Sequence, residues 1–427
     1  RASSLRRASA RMLFFVPVVS SVILLFSKNK FSFRRADRIH PPNFSLDKRN
    51  DVPYLHSCKR NDDPLMMPSV SDQCSVSRYI GETPGFANRK RIAAMNNLID
   101  KARHIPVNDA VSTISVCPVI LAAPGRAKPI EMRVTAPAQG RDLPIILLSH
   151  GHGPSLYIPS KDGYGPLANF YAEHGFVVIQ PTHGNSKVAG FGPDAPGAPF
   201  FWRSRVEDFK TILDHLGEIE RASPVLDGRL DHGRVAAVGH SLGGQTVGML
   251  LGARLSDSAD PDAQDVNLIE PRIKAGVLLA APGRGGDSLS EHARQNYTAL
   301  NPDFSHMTTR TLVVAGDQDI NPHLTTCGAA WHTDPFHYGP GGEYLLTLIG
   351  GKHGLGGIAG YDAKETDDED PDRLAITQRM TWAYLRSALY ADDPAWVNAC
   401  TGLETHGRGL AYVEGKSGTG SPVNQAG

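Results

Sequence analysis

One stretch constrains this chain more than any other. In "VAAVGHSLGGQTVGML", residues 235 to 250, an apolar run meets a Gly-rich hinge and a second apolar run follows. Val-rich residues before the hinge and Leu, Gln and Met after it read as strand, tight turn and helix. Within the hinge, Gly239-His240-Ser241-Leu242-Gly243 has the form G-x-S-x-G. A side chain at Gly239 or Gly243 would collide with backbone in so sharp a turn, so glycine is needed at both. The turn lifts the Ser241 hydroxyl beyond the strand end, at the N-terminus of a helix whose dipole favours developing negative charge. A serine N-cap followed by tightly packed glycines is the bland alternative.

The flanking chain supplies the context for such a turn. "VSTISVCPVILAA" and "PIEMRVTAP" are β-rich, and in the second Ile130, Met132 and Val134 alternate with Glu131, Arg133 and Thr135. They predict an antiparallel opening hairpin with one buried face. "PIILLSHG", 144 to 151, is apolar without alternation, as a parallel strand covered on both faces would be. Next come helical "YGPLANFYAEHG", strand "FVVIQP" and the amphipathic "RVEDFKTILDHLGEI", which carries Val206, Phe209, Ile212, Leu213 and Leu216 at helical spacing. Its other face presents Glu207, Lys210 and Asp214. After the G-x-S-x-G helix follow strands "IKAGVLLAAP", "RTLVVAG" and "EYLLTLIGG" and the helical "RLAITQRMTWAYLRSALY". The pattern predicts an α/β fold with a mostly parallel central sheet, an antiparallel opening hairpin and helices on both faces.

A serine hydroxyl is a weak nucleophile until a base takes its proton, so a histidine and an orienting acid are expected after later strands. "TLVVAGDQDINP" delivers Asp317 and Asp319 just past a strand end; Asp319 is favoured, because two residues of turn bring it clear of the strand and leave Asp317 as a turn former. Of seventeen histidines, His353 is favoured: it follows the last strand, "EYLLTLIGG", in the Gly-rich "GGKHGLGG", whose flexible backbone can bring an imidazole to the nucleophile. His306, His323, His332 and His337 lie in loops with no strand immediately before them and are set aside. "LLSHGHGPS" and the turn itself offer backbone N–H groups for an oxyanion, at His152 and Leu242. The loop 183–202 is long, rich in Gly and Pro, and ends in Phe200, Phe201 and Trp202, which either wall a substrate pocket or seat the next helix.

No cofactor is implied, since this chemistry needs neither metal nor nucleotide, and "GHSLGG" lacks the spacing of a dinucleotide fingerprint or a P-loop. His150-x-His152 could open a zinc-hydrolase pattern, but Gly153 and Pro154 follow where Asp-His is wanted. The acidic run "ETDDEDPD", 365 to 372, lacks calcium-loop spacing and reads as a solvated loop. Forty-four basic and forty-four acidic residues cancel, leaving no overall field to draw nucleic acid or an anionic membrane. A neutral or weakly charged ligand is the default on charge, and the serine chemistry makes a small-molecule or lipid-like ester the expected partner.

These segments together resemble the α/β-hydrolases, and within them the predicted dienelactone-hydrolase, chlorophyllase and platelet-activating-factor acetylhydrolase-like esterases. The resemblance rests on "LLSHGHG", "YAEHGFVVIQPTHGNS", "RVEDFKTILDHL", "GHSLGG", "AGDQD" and "GGKHGLGG". It implies a serine carboxylester hydrolase with Ser241 as nucleophile, Asp319 as orienting acid, His353 as base and His152 and Leu242 as oxyanion donors. Dienelactone hydrolases proper carry cysteine where this chain has Ser241, and chlorophyllases tend to carry arginine at the place of Leu242. Acyl transfer to an alcohol or thiol by the same residues, or a non-catalytic binding protein on this fold, are the alternative functions.

The ends differ from this central part. Residues 1–77 are expected to be a disordered extension or a targeting or anchor segment, 78–400 the catalytic domain, and 401–427 a flexible tail. Met12 to Phe26 is apolar but about fifteen residues long, short of the roughly 18 a membrane span needs. The reading is therefore secreted or membrane-anchored if that segment acts as a signal, and cytoplasmic if it does not. The five cysteines form neither a metal pattern nor a dense disulfide scaffold; a single Cys327 to Cys400 bridge tying down the C-terminus is one pairing they allow, and the sequence leaves it open.

Overall fold

Two strands inside the sheet, Leu143–Ser149 and Val177–Pro181, are buried at every residue. The computed structural model describes residues 99–361 and 366–416, all within the unit Gly81–Gly427. Expectations for residues 1–77, including the Met12 to Phe26 segment, fall outside the described residues. No helix among the described residues is long and apolar enough to cross a membrane.

Strands β1 (Thr113–Leu121) and β2 (Ile130–Pro137) form the antiparallel opening pair. Then come β3 (Leu143–Ser149), helix α1 (Gly165–Glu173), β4 (Val177–Pro181), α2 (Trp202–Asp214), α3 (Leu216–Ala222) and β5 (Leu230–His240). Helix α4 (Leu242–Leu250) and strands β6 (Ile273–Leu279), β7 (Arg310–Gly316) and β8 (Gly342–Leu348) follow, and α5 (Pro371–Leu389), α6 (Ala395–His406) and β9 (Ala411–Gly415) close the chain. The nine-stranded sheet has the order β1-β2-β4-β3-β5-β6-β7-β8-β9. The six strands from β4 to β8 in that order are parallel.

Alternation along each parallel strand explains the two apolar layers, since successive side chains point to opposite faces. Ile146, Leu148, Ala236 and Val238 pack under α1, α5 and α6, whereas Ile145, Leu147, Val235 and Ala237 pack under α2, α3 and α4. A strand covered on both sides needs no polar residue, hence the unbroken apolar runs. The amphipathic segment 205–219 is two helices, not one, with the break at His215.

Three further expectations are corrected. Residues 401–416 are no free tail: α6 runs to His406, and β9 pairs antiparallel with β8, its Tyr412 opposite Thr347. Cys327 and Cys400 are both free, one exposed and one buried, so no bridge joins them. Asp368 of the acidic run is buried, accepting hydrogen bonds from the Lys352 and Gly356 N–H groups, and so braces the loop that carries His353. Asp370, in the same run, caps α5 through the Arg373 N–H.

Topology places the site. From β3 the chain moves outward to β4 and returns to β5 on the other side of β3, so strand order reverses between β3 and β5. Crevices beyond the carboxyl ends of strands at such a reversal are where open α/β sheets bind ligands. Ser149 at the end of β3 lies in register with Gly239 near the end of β5, two residues before Ser241.

Candidate active site

Ser241 has φ 55° and ψ −123°, a conformation that a residue with a Cβ rarely adopts. Surrounding backbone holds it there. The Ser241 N–H donates to the Leu279 carbonyl at 2.9 Å, and the Gly244 N–H to the Ser241 carbonyl at 2.8 Å. The two motif glycines are required by close approach: a Cβ on Gly239 would stand 2.1 Å from the Gly243 carbonyl oxygen, and one on Gly243 2.2 Å from the Ser149 carbonyl oxygen. Strain of this kind persists only where neighbours over-determine the backbone, and it concentrates at functional sites. Leu242 opens α4, so its N–H has no intrahelical carbonyl to bind.

Beyond β7 and β8 the two expected partners meet. The carboxylate of Asp319, nearly fully buried, accepts a hydrogen bond from His353 Nδ1 at 2.8 Å, though the two residues are 34 apart in sequence. Asp317 takes the other role, accepting from the Gly350 N–H at 2.7 Å and so tying the loop after β7 to the loop after β8. Burial acts to lower the His353 pKa, but the bond to Asp319 and the charge of that carboxylate outweigh it, so the ring titrates above its ordinary value. Burial acts to raise Asp319, and the His353 bond with the three surrounding imidazoles brings it below the usual carboxylate value.

A hydrogen-bonded relay joins this pair to the turn. The Gly151 N–H donates to the Tyr164 hydroxyl at 3.0 Å, that hydroxyl lies 2.7 Å from His240 Nδ1, and His240 Nε2 lies 2.8 Å from the His353 carbonyl oxygen. A carbonyl only accepts, so His240 carries its hydrogen on Nε2 and takes the Tyr164 hydroxyl hydrogen at Nδ1. Burial, with the neighbouring His353 next, pushes His240 down to about 3, which keeps it neutral for both contacts. Three segments, the loop after β3, the residue before Ser241 and the backbone of residue 353, are thereby fixed to one another.

The loop after β3 is held with equal care. His150 Nε2 accepts from the His183 N–H at 3.0 Å, so Nδ1 bears the ring hydrogen and donates it to the Gly151 carbonyl at 2.8 Å. In a trans peptide the N–H points opposite to the carbonyl, and pinning the Gly151 carbonyl turns the His152 N–H away from the His150 ring. His150 is buried, with both ring nitrogens engaged.

Two residues that the amphipathic reading of α2 left unassigned underlie this loop. Arg205 and Asp208 lie on the buried face of α2. The Arg205 guanidinium donates to Ser149 Oγ at 3.0 Å, to Thr246 Oγ1 at 2.8 Å, and to the His150 carbonyl and Asn185 Oδ1. Ser149 Oγ is 3.2 Å from His183 Nε2, and His183 Nδ1 is 2.9 Å from Asp208 Oδ2. This is a second Ser, His, Asp constellation, but Ser149 and His183 are 0% exposed, so no substrate carbonyl can reach it. Its hydroxyl accepts from Arg205 and donates to His183, a closed chain with a structural task.

Of the three aromatics ending the 183–202 loop, only Phe200 borders the site. It packs edge-on against His152 and clusters with Leu242, Leu289 and Trp331. Phe201 lies under Gly184, and the Trp202 indole donates to Asp257 at 3.2 Å, so both seat α2 instead. His332, set aside in the sequence, is brought against Asp319: its Nε2 is 3.1 Å from Asp319 Oδ2. Nothing in its flanking residues signals this, because the short turn that carries it, Gly328–Thr333, returns over the end of β7 only in three dimensions.

Comparison with known proteins agrees with this architecture. The chain is 30% identical over 142 residues to a platelet-activating factor acetylhydrolase of Cavia porcellus, covering 25% of this chain and 31% of that protein. It is 25% identical over 260 residues to a cutinase of Thermobifida fusca, covering 55% of this chain and 71% of that one. The chain thus spans less than a third of the first relative's length. The family model for the alpha/beta hydrolase family matches residues 145–415, from β3 to β9 and well over half of the sequence. With its mostly parallel sheet, reversed strand order and strained serine turn, the chain belongs to the alpha/beta hydrolase family.

Proposed function

We propose that the protein is a serine carboxylester hydrolase in which Ser241 attacks the ester carbonyl, His353 takes and returns the proton, and water hydrolyses the acyl-enzyme. The observation that carries this reading is the 2.8 Å contact between Asp319 Oδ2 and His353 Nδ1. It commits the ring hydrogen to Nδ1, leaves Nε2 with a lone pair, and sits on a loop bonded to the residue beside Ser241. The His152 and Leu242 N–H groups are the proposed oxyanion donors. Phe200 and Leu242 form an apolar wall suited to an acyl chain or a lipid-like ester. Relatives named acetylhydrolase and cutinase support an ester substrate over an amide or a phosphate.

A fluorophosphonate probe tests the assignment directly: one adduct is expected, on the peptide that contains Ser241, and an adduct on any other serine refutes it. The pH profile gives a second check. The base works only when neutral, and its pKa is raised, so kcat/KM should climb with pH through an inflection above 6.5. In Asp319→Asn the two largest raising influences are gone, leaving the weaker pull of Asp368 and Asp367 against burial, so the inflection moves down while the rate falls by about 10⁴. An inflection unmoved in that variant would show that Asp319 does not act on the base.

A further inference from the structure

Asp319 Oδ2 faces two imidazoles, and only one has a hydrogen to offer it. His332 is 2% exposed, and its Nδ1 lies 2.8 Å from the Ala281 carbonyl oxygen. Since that oxygen can only accept, the ring hydrogen of His332 is on Nδ1. Nε2 therefore presents a lone pair: it is buried, has no hydrogen-bond partner, and stands 3.1 Å from the carboxylate oxygen. Two acceptors at that separation repel each other, and a cation bound by both removes the repulsion. A third donor is at hand, because His353 Nδ1 lies 2.8 Å from the same oxygen, and the three ligating atoms all fall within 4.8 Å of one another.

We propose that Asp319, His332 and His353 form an inhibitory site for zinc or a similarly borderline-soft divalent ion. One carboxylate and two imidazoles form a common zinc donor set, with metal–ligand distances of about 2.0–2.2 Å and a fourth position open to water. Tetrahedral ligands at such distances sit roughly 3.3 Å apart, so the two nitrogen-to-oxygen separations of 3.1 and 2.8 Å need open only slightly, while the two ring nitrogens, within 4.8 Å of each other, adjust through the His353 ring. The His353 side chain is 45% exposed, which gives an ion a route from solvent and the ring room to adjust.

The consequence for catalysis rests on the role proposed above for His353. Its neutral ring holds one hydrogen, on Nδ1, and its basic lone pair on Nε2. A metal at Nδ1 takes the lone pair there, so the ring hydrogen must be on Nε2 instead. No proton is gained or lost overall; one leaves Nδ1 and one arrives at Nε2. The nitrogen that should accept the Ser241 proton is then already protonated, and the nucleophile cannot be activated. The metal is a blocker and not a cofactor.

Cobalt(II) and zinc titrations of the full chain test this, with His332→Asn and His332→Gln as variants that each keep an amide N–H for the Ala281 carbonyl. The wild type should show the visible absorption bands of four-coordinate cobalt, and both variants should lose them. Zinc should inhibit nitrophenyl ester hydrolysis, EDTA should restore it, and magnesium and calcium should do neither. Relative to its own metal-free rate, each variant should need at least about tenfold more zinc for half-inhibition, since losing even an outer-sphere support costs that much. Equal zinc sensitivity in wild type and both variants, or no cobalt bands in the wild type, overturns the site. The cobalt spectrum needs no turnover, so cobalt bound through His332 by a protein that cleaves no ester would overturn the triad and leave the metal site standing.

Discussion

Ser241→Ala is expected to lower ester turnover by a factor on the order of 10⁴ to 10⁶, with KM little changed, as measured on a nitrophenyl ester. The fold should survive, because Ser241 itself holds the turn through backbone hydrogen bonds. The Ser241 N–H reaches the Leu279 carbonyl, and its own carbonyl receives the Gly244 N–H. Alanine carries the same Cβ into φ 55°, so the strain is unchanged. Ser149→Ala is the matched control, since Ser149 also belongs to a Ser, His, Asp set. It should keep fluorophosphonate labelling at Ser241 and lose about 1–3 kcal/mol of stability, because Arg205 and His183 each lose a buried partner. Activity that survived at Ser241→Ala and vanished at Ser149→Ala would reverse the roles given to the two serines.

The second large effect is on stability. Arg205→Met should cost about 3–5 kcal/mol, read as a fall in the urea midpoint at unchanged slope. The side chain is 0% exposed, and four acceptors, on Ser149, His150, Asn185 and Thr246, lose their donor with it. Asp208 also loses one of the two arginines, Arg126 and Arg205, that offset the cost of burying its carboxylate. Arg205→Lys should fall between, because an ammonium keeps the charge but cannot present the planar fork that reaches Ser149 and the His150 carbonyl together. A midpoint equal to wild type in Arg205→Met would mean that the loop after β3 is held by something other than this guanidinium. Where the variant still folds, its kcat should drop more than its KM rises, because freeing the His150 carbonyl loosens the peptide that aims the His152 N–H.

Much of the site was legible in one dimension. The glycines flanking Ser241 announce a turn that tolerates no Cβ, and the 2.1 Å and 2.2 Å approaches are the reason. Asp319 stood out from Asp317 because two residues of turn separate a strand end from a crevice, and the structure gives Asp317 to the Gly350 N–H instead. His353 was marked by its place directly after a strand. Arg205 and Asp208 were missed for the opposite reason: a helical pattern assigns charged residues to the outer face unless their partners are known, and those partners come from β3, the loop after β4, and α4. His332 was passed over because no strand precedes it. The closing strand β9 was hidden in "AYVEG", a run too short and too polar to read as an element without the edge of β8 to receive it.

The sequence alone determined most of the strands and helices from β1 to α5, where the turn with its serine falls, and which acid and histidine lie beyond later strand ends. Those features are local, set by side-chain period, by glycine and by distance from an apolar run. Only the tertiary structure decided that the strand order reverses between β3 and β5, that Arg205 and Asp208 turn inward, and that His332 comes to share Asp319 with His353. Each of these depends on segments far apart in the chain being packed together, and a pairing across a sheet leaves no trace in the periodicity of either partner.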